Sequence, residues 1–114
     1  MRRRALLMLA LLIAGASSAG AQQAEVALDD TQQLGRRLFV QSCAVCHLKP
    51  QITAAALYGP PLSRDSAGGR EDVMRQVIGD GTPRMPGFKY QFEPAQIAAI
   101  VAYLKTVPAP APAR

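Results

Sequence analysis

The chain is poor in the side chains from which most metal and catalytic sites are built: its 114 residues include two cysteines, one histidine and no tryptophan. That count excludes a four-ligand zinc site of sulfur and nitrogen donors, because the fourth ligand is unsupplied. It also leaves no second histidine to act as an acid or base opposite the first. Aromatics are scarce, with three phenylalanines and three tyrosines. A single small domain of this composition has a marginal core unless something staples it. The main apolar run, Ala5 to Ala14, is about half the roughly 20 residues that a membrane-spanning helix needs. There is no internal repeat and no convincing strand alternation, which leaves helices as the building material.

Acidic side chains are outnumbered, 8 against 13 basic ones, for a formal net charge of +5. Three of the basic residues, Arg2, Arg3 and Arg4, precede the Ala5 to Ala14 run, and small residues follow, ending Ala19-Gly20-Ala21. These are the basic, apolar and small-residue regions of a secretory signal over residues 1–21, with cleavage expected between Ala21 and Gln22. An uncleaved anchor is the alternative. No cysteine stands at the cleavage point, so a lipidated N-terminus is not supported. Nothing after the three arginines extends a match to a twin-arginine signal, and export as an unfolded chain to the periplasm is expected. Loss of Arg2, Arg3 and Arg4 takes the net charge from +5 to +2. No basic stripe remains that would mark nucleic-acid binding.

What the chain does have is concentrated. Both cysteines and the histidine fall in the pentapeptide Cys43-Ala44-Val45-Cys46-His47. Two thiols three residues apart can each add across a vinyl group of haem, and a histidine directly after them is then held under the iron as an axial ligand. A bare CxxC also suits a redox dithiol, half a zinc site or a local disulfide. Zinc fails on ligand count, and a thioredoxin-like site would need an alternating strand and helix pattern that is absent. Haem iron then needs a sixth ligand or keeps an open position. After cleavage the thioether candidates are Met74 and Met85. Met74 shares the apolar side of a helix with Val73, Val77 and Ile78 and reads as core filling. Met85 stands in a loop between Pro83 and Pro86, where limited backbone freedom favours retention of a weak thioether bond.

Around these residues the sequence predicts three helices. Residues 22–28 form a loose arm. Asp29 or Asp30 caps a first helix with Leu34 and Leu38 on one face, followed by Phe39 and Val40, running into the Cys43 to His47 segment. Gly35 within it costs about 1 kcal/mol against alanine, so a close helix crossing is expected there. Lys49 to Pro61 reads as loop, with a possible short turn over Ile52 to Leu57. A second helix is expected over Arg70 to Ile78, closed by Gly79 and Gly81, with an irregular loop from Asp80 to Gly87. The last helix begins near Glu93, with Pro94 first and Gln96 three after the cap, and carries Ile97, Ile100, Val101 and Leu104 on one side. The domain spans 29–107, and residues 108–114 form an extended proline and alanine tail with no core to join.

Taken together, these motifs resemble the small monohaem c-type cytochromes of class I, over roughly Leu34 to Val107. Gly35 and Phe39 match the family's first-helix glycine and aromatic, and Ile100, Tyr103 and Leu104 match the facing side of the last helix. Cys43, Cys46 and His47 match the attachment motif. Gly59-Pro60-Pro61-Leu62 is similar to the Gly-Pro-x-Leu segment, in which the proline carbonyl accepts the proximal histidine's other N–H, a role that falls to Pro60. Met85-Pro86-Gly87-Phe88 resembles the distal methionine loop. The resemblance implies an all-α class I cytochrome c fold, three main helices and loops around one covalently bound haem c, with His47 and Met85 as axial iron ligands. Two features depart from the family. A tryptophan that serves a propionate is missing, leaving Tyr58, Arg64, Lys89 and Tyr90 as candidates, and the His47 to Met85 interval is short.

The expected function is single-electron transfer in the periplasm by a monomer, not catalysis on a substrate. A periplasmic dehydrogenase would be the donor, and an oxidase or another cytochrome the acceptor. No nucleic acid and no stable membrane insertion after cleavage are expected. The alternatives are a cytochrome subunit permanently docked on a dehydrogenase, and a vacant-site haem sensor or enzyme in which Met85 is unbound.

Overall fold

The computed structural model describes residues 27–47 and 59–110, and the segments expected as a signal, as the arm up to residue 26 and as a turn over Ile52 to Leu57, together with residues 111–114, lie outside that range. Helix α1 spans Asp30–Ser42 and a four-residue α2, Ala44–His47, follows across a turn at Cys43. A short 3-10 helix covers Ser66–Gly69, α3 covers Glu71–Asp80 and α4 covers Pro94–Leu104. Among the described residues the only β pairing is an isolated antiparallel bridge between Thr82 and Met85.

Local chemistry sets the helix starts. Asp29, and not Asp30, caps α1: its Oδ1 accepts the Gln32 N–H at 2.8 Å while Gln32 Oε1 accepts the Asp29 N–H at 3.0 Å. This reciprocal pair satisfies two backbone donors that a helix start otherwise leaves bare. Glu93 and Gln96 begin α4, where the Glu93 N–H donates to Gln96 Oε1 at 2.9 Å and Pro94 takes the first helical position. In α3 the expected end moves. Gly79 lies within the helix, and Gly81 caps it with φ of 79°, a conformation glycine adopts without a Cβ penalty.

Packing centres on the crossing of α1 and α4, with α3 against α4. Leu38, Phe39, Met74, Ile78, Phe92, Ile97, Ile100, Val101 and Leu104 form one buried cluster, with Tyr103 at its margin. Phe39 and Tyr103 meet with ring centroids 5.5 Å apart, tilted by 52°. Gly35 is the point of closest approach, but its neighbour differs from expectation. A Cβ built there would overlap the backbone carbonyl of Ala99, so α4's main chain, and not the Ile100 or Tyr103 side chain, fills the space.

The 3-10 segment was not legible from propensity. Ala67, Gly68 and Gly69 run consecutively at positive φ, and the segment is tied to the C-terminal end of α4 by Lys105 Nζ donating to the Gly69 carbonyl at 3.1 Å. Just upstream, the Arg64 N–H bonds the Val107 carbonyl at 2.9 Å. Pro108 and Pro110, at the start of the tail, line a groove with Phe39 and Tyr103.

Candidate metal centre

The pentapeptide sits where α1 hands over to α2. Because α1 delivers Cys43 on the face that already carries Leu38 and Phe39, this residue is buried, 6% exposed, while Cys46 and His47 are half-buried. Burial, and after it the nearby Cys46, pushes the Cys43 thiol up to about 11. A protonated, enclosed thiol is a weak nucleophile.

His47 is held from outside the helix. Its ring Nδ1 donates to the Pro60 carbonyl at 2.7 Å. A carbonyl only accepts, so in the neutral ring the proton is on Nδ1 and the lone pair on Nε2, the atom left free for a metal. Gly59 makes this approach possible. A Cβ there would stand 2.6 Å from His47 Cε1 and 2.7 Å from Nδ1. The need for glycine at this position is steric, and the sequence alone placed weight only on Pro60.

Met85 closes a turn that is tighter than the irregular loop expected. The Thr82 N–H donates to the Met85 carbonyl at 2.9 Å and the Met85 N–H to the Thr82 carbonyl at 3.1 Å, with Pro83 and Arg84 at the corner. Proline pre-sets the backbone angle that the first corner position needs.

His47, Cys46, Pro60 and Met85 all line one cavity of about 390 Å³, whose remaining wall is largely apolar and includes Val77, Ile78 and Leu104. Met74, 4% exposed, belongs to the core and also reaches this wall. Among the described residues no group of three His, Cys, Asp or Glu side chains could hold a bare ion. One imidazole and one thioether fit a metal that brings its own equatorial ligands, and the Cys46 thiol on the cavity wall, with Cys43 three residues before it, fits covalent attachment of the ring that supplies them. The donor set therefore fits haem c.

Of the residues considered as propionate partners, Arg64, Lys89 and Tyr90 are not on the cavity lining. Lys89 Nζ pairs with Asp80 at 3.0 Å, Arg64 lies 4.0 Å from Asp65, Tyr90 is 93% exposed beneath the Lys89 ammonium, and Tyr58 is outside the described residues. Among the described residues Arg84 is the cation that lines the cavity. Its adjacency to Met85 was the available signal.

Three comparisons bear on this arrangement. A family profile described as cytochrome c oxidase, cbb3-type, subunit III matches residues 30–104, a span that holds the pentapeptide, Pro60 and Met85. A cytochrome c-553-like protein of Synechocystis is 34% identical over 83 residues, covering 72% of this chain and 74% of that protein. A solved structure of a tyrosine-to-phenylalanine mutant of Kustc0563 aligns with a TM-score of 0.53 and 26% identity, over 63% of this chain and 95% of the other.

Proposed function

This chain belongs to the c-type cytochromes, and from that premise we propose that it is a periplasmic carrier of single electrons built on one covalently bound haem c. The family supports electron transfer as the activity, and the mostly helical fold agrees with class I. Haem would supply a one-electron couple at iron. Cys43 and Cys46 would hold it through thioether bonds, and His47 and Met85 would fill the two axial positions. The observation that carries this reading is the 2.7 Å bond from His47 Nδ1 to the Pro60 carbonyl, in a cavity that Met85 also lines.

Each of these residues has a task in electron transfer. Pro60 fixes the imidazole plane and raises its basicity. The closed Thr82 to Met85 turn would hold the thioether in place, and ligation that does not change with oxidation state would keep reorganisation small. A soft thioether also favours ferrous iron and raises the potential. The apolar wall around Val77, Ile78 and Leu104 would offer the haem an apolar surface and limit water there. No residue is required to act on a substrate.

Export by the segment 1–21 would place the mature chain in the periplasm. Among the described residues no helix is long and apolar enough to cross a membrane. A periplasmic dehydrogenase would then be the donor, and an oxidase or another cytochrome the acceptor. A second reading, a subunit permanently docked on a larger redox enzyme, is favoured by the matching profile's description as an oxidase subunit. Affinity purification from the native host separates the two: a carrier elutes alone at moderate salt, whereas a subunit brings its enzyme. The ligand assignment is tested by the optical spectrum of the matured protein with and without carbon monoxide.

A further inference from the structure

The loop that bears Met85 lies backbone to backbone on the end of α3, with glycines where the two chains meet. Downstream of Met85, the Phe88 N–H donates to the Ile78 carbonyl at 2.9 Å and the Lys89 N–H to the Gly79 carbonyl at 3.1 Å. Between them and Met85 stand only Pro86 and Gly87. A Cβ at Gly87 would lie 2.6 Å from the Gly79 carbonyl oxygen and 2.7 Å from the Asp80 carbonyl, where ordinary contact begins at 3.4 Å. Those atoms are main chain of a helix end and cannot rotate aside. Gly87 is not among the positive-φ residues, so contact alone, and not backbone conformation, demands glycine there. Gly79, whose carbonyl the loop meets, has room on its own Cα: a Cβ there would meet only Ile97 Cδ1 and Lys89 Cβ, at 3.9 Å.

We propose that Gly87 is a positioning residue for the iron's sixth ligand: by letting the loop seat directly on the α3 terminus, it sets how far the Met85 sulfur reaches. This rests on the assignment of Met85 as that ligand. The hydrogen-bonded turn at Thr82 fixes Met85 from one side and the Phe88 and Lys89 bonds fix it from the other, leaving one proline-stiffened link whose displacement has to be taken up at Met85. Metal–ligand bonds tolerate errors of only about 0.2 Å. The weak thioether is therefore the part that gives when the seat is lifted.

The test uses the haem-loaded protein, with Gly87→Ala compared against Gly79→Ala. Wild type and Gly79→Ala should keep the weak red thioether-to-iron band and resist carbon monoxide. Gly87→Ala should lose most of that band and bind carbon monoxide at least tenfold faster, with the helical circular dichroism and the His47-dependent Soret absorption retained. Because Gly87→Ala could fail to mature, Asp80→Asn provides a second variant that does not threaten the fold. It loosens the Lys89 tie to the same helix end and should speed carbon monoxide binding about twofold to fivefold at low salt. A wild-type protein without the band removes the ligand assignment, and the proposal with it. A wild-type protein with the band, alongside a Gly87→Ala protein that also keeps it and still resists carbon monoxide, overturns the proposal alone. So does an Asp80→Asn rate equal to wild type, should Gly87→Ala yield no holoprotein.

Discussion

At the scale of single residues, the site depends on groups that are absent as much as on those present. His47 can stand against the Pro60 carbonyl because residue 59 has no side chain, and Gly59→Ala places a methyl within 2.7 Å of the ring. The predicted result is a rotated or retracted imidazole: the Nδ1 hydrogen bond lengthens, ligand basicity falls and the reduction potential rises. Redox titration checks this, and an unchanged potential with an unchanged spectrum would contradict it. The thiols carry a different constraint. Since packing pushes the Cys43 thiol up to about 11, the folded core opposes formation of the thiolate at neutral pH. The proposed attachment and ligand residues came from the sequence because Cys43, Cys46 and His47 share one pentapeptide and because Met85 remained after Met74 was assigned to a helix face. Gly59 and Gly87 did not, since each owes its identity to a backbone that only folding brings near.

At the scale of elements, what was legible was what local chemistry decides. The capping pairs at Asp29 with Gln32 and Glu93 with Gln96 lie three residues apart, and both helix starts follow from them. Gly79 misled because a glycine near the end of a pattern resembles a terminator, whereas here it is accommodated inside α3 and the cap falls to Gly81. The left-handed run at Ala67, Gly68 and Gly69 was out of reach for the same physical reason: an alanine at φ of 53° is held by tertiary ties and not by its own preference. Gly35 gives the sharpest test at this scale. Gly35→Ala gains about 1 kcal/mol of helix propensity. Its new Cβ nevertheless collides with the main chain of Ala99, and overpacking of this kind costs about 1–3 kcal/mol or more. A lower midpoint in denaturant at unchanged slope is predicted. Equal or greater stability would mean that α1 and α4 do not cross at this residue.

For the whole molecule, the described core is one cluster with Phe39, Phe92 and partly buried Phe88 and Tyr103 as its aromatics, small for a domain that must hold itself together. Covalent haem would fill the 390 Å³ cavity and add the missing apolar bulk. Protein carrying Cys43→Ala and Cys46→Ala should accordingly lose most helical circular dichroism and show no sharp thermal transition, whereas native-like helicity would show that the polypeptide suffices. Partner encounters should depend only modestly on salt. Cleavage after Ala21 and two haem propionates would together bring the charge near zero, and Lys89, downstream of Met85, is paired with Asp80. A steep fall in electron-transfer rate between low and physiological salt would indicate long-range steering instead. The central claim is that His47 and Met85 together saturate the iron. It is tested most directly by one optical measurement on ferric and ferrous holoprotein, wild type beside Met85→Ala, with and without carbon monoxide. Wild type should show the weak red thioether band and ignore carbon monoxide, and Met85→Ala should lose the band, bind the gas rapidly and fall in potential. A wild-type protein that lacks the band or binds carbon monoxide freely would contradict the account.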